Sequence, residues 1–176
     1  MDSMAGSFGY GLLMLRATEL RDAGATMEEI ADWIREKGTS VRHCFYVTDL
    51  TTLRKGGRIS GASAKIATVL GICPVIRLDY SGHLTAHKKV RGKKSAMKAL
   101  VQEMLEHATD GAGHHEKCII GHADAPEDAN ALRILIEEQF PNLEGKVLVY
   151  PIGPVLVSHC GIGPVAVFFM GDERAA

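Results

Sequence analysis

The feature that most restricts this chain is a short punctuation, Tyr80-Ser81-Gly82-His83, set between two apolar runs, Val75–Asp79 and Leu84–Val90. A Ser-Gly turn between strand-like segments closes a hairpin, and a hairpin forces antiparallel pairing. Elsewhere helix and strand signals alternate, as they do in parallel βα folds. Together these signals predict an α/β (α+β-like) protein. Its sheet is mixed, partly antiparallel and covered by helices on one face, rather than doubly wound.

The remaining elements follow from local chemistry. Leu12, Leu13, Leu15, Ala17 and Leu20 share a helical face that Gly24 can end. Thr26 with Glu29 forms a capping-box pattern that opens a second helix, reaching Gly38. Strand Cys44–Val47 follows, and Asp49 can cap a short turn of helix, Leu50–Lys55, broken at Gly56-Gly57. The spacing predicts helices over Ser60–Leu70 and Lys93–Ala108, a strand Lys117–His122, and a helix capped by Asp124 with Pro126 near its start. Strands Lys146–Pro151 and Val165–Met170, joined by a turn, complete the chain. Residues 1–40 read as a helical linking segment and residues 41–176 as the sheet domain.

Composition narrows the function classes. With 176 residues, 46% of them hydrophobic, and a formal net charge of -1, the chain can bury one ordinary core and has no global pull towards nucleic acid or anionic membrane. The apolar runs Ile66–Ile76 and Val147–Val157 contain prolines and fall short of the ~20 residues a spanning helix needs, so no integral membrane association is expected. Cys44, Cys73, Cys118 and Cys160 are widely spaced without a paired motif, as reduced, buried thiols would be. The expected location is cytoplasmic. The opening Asp2-Ser3, with Gly6, Gly9 and Gly11 running straight into a helix, reads as a chain joined in mid-fold.

Several residues invite chemistry. His159 precedes a Gly161-Ile162-Gly163 turn whose N–H groups could hold an anion; it could equally be a turn histidine packed at a strand end. His159 and Cys160 are not read as a nucleophile–base pair: if the segment is extended, neighbouring side chains point to opposite faces. Gly56-Gly57-Arg58 could offer N–H groups and a guanidinium to an anion, or simply end a helix with a solvated arginine. Lys88, Lys89, Arg91, Lys93, Lys94 and Lys98 form a basic stretch, either a solvated face or a docking patch for an acidic or phosphorylated partner. No aromatic residues interleave with it, which argues against nucleic acid. His107, His114, His115, Cys118 and His122 lack metal-ligand spacing, so no metal and no cofactor are expected.

The stretch Thr48-Asp49-Leu50-Thr51-Thr52-Leu53-Arg54-Lys55-Gly56-Gly57-Arg58-Ile59-Ser60 resembles the signature segment of the DegV family. Lys89-Val90-Arg91, His122-Ala123-Asp124 and Ser158-His159-Cys160-Gly161-Ile162-Gly163-Pro164 fall in the family's order. In the last of these, Cys160 and Ile162 stand where the family's His-Thr-Gly-Pro-Gly run has threonine and proline. The resemblance covers the carboxyl-terminal portion of such proteins, without their amino-terminal domain. It implies a carrier rather than an enzyme: a lid domain that binds a long-chain fatty acid at a domain cleft and presents its carboxylate to the catalytic subunit of a fatty acid kinase. His159, Gly161, Gly163 and Arg58 would then meet the ligand, and Arg91 and Lys89 the partner or its phosphate. Two other readings stay open: a catalytic subunit acting on a small anionic substrate with His159 as acid or base, and a truncated module that self-associates over the surface its missing domain would cover.

Overall fold

A computed structural model describes residues 2–59 and 71–175; the predicted helix Ser60–Leu70 lies outside them. The elements run α1 (Ser7–Asp22), α2 (Met27–Lys37), β1 (Val41–Tyr46), α3 (Thr51–Lys55), β2 (Ile72–Leu78), β3 (Leu84–Arg91), α4 (Lys93–His107), β4 (Ile119–His122), α5 (Pro126–Gln139), β5 (Leu148–Pro151), α6 (Pro154–Cys160) and β6 (Val165–Met170). The strands form one sheet in the order β3-β2-β1-β6-β4-β5. Among the described residues β4 and β5 pair in parallel, and the other strand pairings are antiparallel. The predicted hairpin is the β2–β3 pair, with Asp79 N–H donating to the His83 carbonyl across the turn.

Strand alternation sorts β1 and β6 onto two faces. Cys44, Tyr46, Val165, Val167 and Phe169 face α4 and α5 in the main core, where Leu100, Met104, Leu132, Ile136 and Phe140 are fully buried. Each such side chain contributes roughly 1.5–3 kcal/mol on burial. Val41 and Phe168 point the other way, against Leu12 and Leu13 of α1. Leu50 and Leu53 cover the same face further along, with Val47, Ile59 and Ile76. Helices therefore lie on both faces of the sheet, not on one as expected. The first helix is the reason: only Gly9, Leu12 and Leu13 of α1 are buried, and they dock on the sheet rather than lead away from it.

Local signals held where both partners were close in sequence. The capping box is complete, with Glu29 N–H donating to Thr26 Oγ1 at 3.2 Å and Thr26 N–H to Glu29 Oε2 at 2.7 Å. Asp49 Oδ1 accepts from Thr51 N–H at 2.9 Å, opening α3. Asp124 does not cap α5; it turns through the left-handed region at φ 50°, and Ala125 N–H instead donates to His122 Nδ1. The turn expected before the last strand is helix α6. Pro154 in the first turn and Gly161 at φ +81° bracket it, though its β-branched Val155 and Val157 are weak helix formers.

Candidate functional site

The α1-facing side of the sheet is hollow between its two helical covers. Gly121 of β4 stands opposite Ala166 of β6, and Ala166 stands opposite Phe45 of β1, so two small residues lie side by side on this face. A Cβ on Gly121 would meet the Phe8 ring at 2.9 Å and Ile152 at 3.1 Å, which leaves no room for a larger residue. The hollow becomes a cavity of about 510 Å³, within the range of small-molecule sites. Phe45, Leu53, Leu78, Leu84, Ile152, Leu156, Pro164, Ala166 and Phe168 make most of its wall apolar. Residues Asp2 and Met4–Ser7, ahead of the buried turn of α1, form another side.

One end carries two of the basic residues singled out in the sequence. His159 sits in the last turn of α6, half-buried, with its Nδ1 against Gly56; a Cβ there would stand 3.5 Å away. Arg58 leaves the loop after α3, donates from Nη1 to the Gly56 carbonyl at 2.6 Å, and places Nη2 3.3 Å from His159 Nε2. A guanidinium has only donors, so the histidine nitrogen accepts. Both side chains line the cavity. Two residues 101 positions apart thus meet at the mouth of an apolar hollow, an arrangement suited to an anionic head on an apolar body.

The other sequence candidates separate from this pair. Gly161 and Gly163 adopt φ +81° and +98°, conformations that favour glycine. Their N–H groups do not form an open anion cradle: Gly161 N–H donates to Val157 O at 2.8 Å and Gly163 N–H to Ala123 O at 2.7 Å. Neither glycine lines the cavity; they shape the turn that carries His159. Cys160 contacts the Gly161 carbonyl, and burial pushes its thiol above the ordinary cysteine value. Arg91 and Lys89 lie opposite Ile72 and Pro74 at the far end of edge strand β3, exposed and outside the cavity. The basic stretch is also divided. Lys88 turns to Glu103 at 2.8 Å and Lys93 to Asp128 at 2.6 Å, leaving Lys94 and Lys98 exposed.

Sequence reasoning missed His43, which lines the opposite end of the cavity from strand β1. Burial, and then the nearby charge of Arg174, push its ring down to about 3, so it is neutral at physiological pH. It also missed the Gly121–Ala166 hollow, which exists only once the strand register is known. Among the described residues no group of three or more His, Cys, Asp or Glu gathers as a metal site. No helix among them is long and apolar enough to cross a membrane.

The profile of the DegV family, described as uncharacterised proteins, matches residues 1–172. A DegV domain-containing protein of Clostridium perfringens is 35% identical over 99% of this chain. The chain spans 58% of that relative's length. A fatty acid binding DegV family protein from Streptococcus agalactiae superposes with a TM-score of 0.83 at 28% identity, covering 98% of this chain and 59% of the other. A fold likeness extends to the Streptococcus pneumoniae Fatty Acid Kinase (Fak) B3 protein loaded with linoleic acid. Its TM-score is 0.84 at 21% identity, over 98% of this chain and 59% of that one.

Proposed function

This chain belongs to the DegV family, and from that premise we propose that it is a carrier that binds a long-chain fatty acid in the cavity, with the carboxylate at Arg58 and His159. The observation that carries the reading is the placement of this pair in a hollow whose wall is mostly apolar. The guanidinium gives charge-assisted hydrogen bonds to a carboxylate, and the histidine adds a second polar contact. The acyl chain then lies along the apolar wall, against Phe45 and Ala166. The binding of fatty acid by the 28% identical relative supports the same assignment.

The finer parts of the proposal extend from there. Residues 1–40 serve as the segment linking this domain to the one its relatives carry, and residues 41–176 as the lipid-binding lid. Arg91 and Lys89, exposed at the far end of β3, face a fatty acid kinase catalytic subunit and the phosphoryl group it handles. The protein acts as carrier and not catalyst, and works in the cytoplasm. Purified protein, denatured and extracted, should release one fatty acid of roughly 14–18 carbons, a size suited to a small-ligand cavity. Mass spectrometry finding no acyl lipid, together with no uptake of added fatty acid, would sink the reading.

A further inference from the structure

We propose that Thr52 and Gly56 are positioning residues for the carboxylate site: they form the seam of α3 against α6 that holds His159 and Arg58 together. The inference rests on the fatty-acid reading above and adds to it two residues that do not line the cavity. Helix α6 carries His159 but buries none of its own residues fully. Among the described elements it packs chiefly against α3. The place of the imidazole therefore depends on that seam more than on a core.

Two contacts one helical turn apart make the seam. Thr52 and Gly56 are joined by the Gly56 N–H to Thr52 carbonyl bond at 2.9 Å, and residues so spaced share one face of a helix. Across from them stand Gly161 and His159. A Cβ on Gly161 would lie 3.2 Å from Thr52 Oγ1, so the turn after α6 rests closely on that hydroxyl. A Cβ on Gly56 would lie 3.5 Å from His159 Nδ1 and 3.3 Å from the Thr52 carbonyl. The backbone at Gly161, with φ +81°, favours glycine, but Gly56 at φ −77° is open to any residue. What Gly56 supplies is space for the ring.

Gly56 acts on the guanidinium as well. Its carbonyl accepts from Arg58 Nη1 at 2.6 Å, and Nη2 of the same group stands 3.3 Å from His159 Nε2. One residue thus sets both members of the pair, Arg58 through its carbonyl and His159 through its bare α-carbon. A methyl at Gly56 would only touch the ring. A branched side chain would take the ring's place and part His159 from Arg58, while the apolar wall of Phe45, Leu84 and Ala166 stays as it is. Hydrogen bonds weaken quickly with misplacement, so recognition of the carboxylate should separate from recognition of the acyl chain.

The test compares the binding of stearate and of methyl stearate, which lacks the carboxylate, in the full chain. Wild type should prefer the acid by at least about ten-fold, the worth of charge-assisted hydrogen bonds. Gly56→Val should lower that preference roughly five-fold with ester affinity unchanged, and Gly56→Ala only about two-fold, since the displacement grows with the side chain. Thr52→Ala, which opens a gap under Gly161, should lower it as well, and Thr52→Val, which keeps the shape, should restore it. Thermal unfolding checks that each variant folds; if Gly56→Val does not, Gly56→Ala decides in its place. An acid preference that survives in the folded Gly56 and Thr52→Ala variants, or equal losses for acid and ester, overturns the inference and leaves fatty-acid binding intact. Equal binding of acid and ester by wild type overturns the carboxylate site itself.

Discussion

The two faces of the sheet gather their charged side chains in different settings. Against α4, Glu103 is 3% exposed yet closely neighboured: Lys88 Nζ and His87 Nε2 each stand 2.8 Å away, and His107 Nε2 3.9 Å. His107 passes the network to Asp172 at 2.9 Å, and Arg42 joins it at 3.1 Å. On the α1 side, Arg58 and His159 have mainly each other, beside the cavity that both line. Charge compensation by close neighbours marks a structural element, since a buried carboxylate persists only when opposite charge stands beside it. Unspent hydrogen-bonding capacity beside an apolar cavity marks a place where a ligand completes the set. The histidines make the contrast sharpest, because the same side chain serves both ends.

The contrast breaks first at Glu103. Glu103→Gln removes the anion beside Lys88, His87 and His107, and should cost about 3 kcal/mol in urea unfolding while leaving fatty-acid affinity unchanged. The sign of the pH dependence follows from its environment. Burial alone would raise the carboxyl, but contact with Lys88 and the charges of His87, Lys88 and His107 outweigh it, so the folded-state value lies below the ordinary 4.5. The stability it contributes is full above that ordinary value and is lost as pH falls through the lower folded value. Unfolding measured from neutral to acid should therefore show a shallower acid loss in Glu103→Gln than in wild type.

A smaller effect is expected at the cavity wall. Gly9→Ala drives a methyl into the His43 ring, an overpacking that should cost about 2 kcal/mol. His43→Ala made in the same chain removes the clash, so the double variant should recover most of that loss. Simple additivity of the two changes would mean that Gly9 and His43 do not pack as described.

How much of this was legible in the sequence depends on distance along the chain. The Ser81-Gly82 turn and the Thr26–Glu29 box are contained within four residues, and both formed. Helix α6 was missed because the stretch between the last two strands, rich in glycine and proline, read as a turn, while its terminal signals, Pro154 and Gly161, sat at its edges. At the site, Arg58 and His159 could be named from residue type and motif, but their meeting depends on α3 and α6 packing together. The proposed Gly161–Gly163 cradle failed because the N–H partners, Val157 O and Ala123 O, follow from a helix and a strand crossing not evident locally. The hollow itself is a register effect. Gly121 and Ala166 are unremarkable until strand pairing sets them opposite one another.

The most direct test of the account compares affinity and stability in one variant. Arg58→Ala combined with His159→Ala should weaken binding of a long-chain fatty acid by at least about ten-fold, as loss of charge-assisted hydrogen bonds predicts. Its unfolding free energy should stay within about 0.5 kcal/mol of wild type, as for other exposed substitutions. The matching fatty acid methyl ester, which lacks the carboxylate, should bind both proteins alike. Undiminished fatty-acid binding in the double variant, or a loss matched for acid and ester, would contradict a carboxylate held at this end of the cavity.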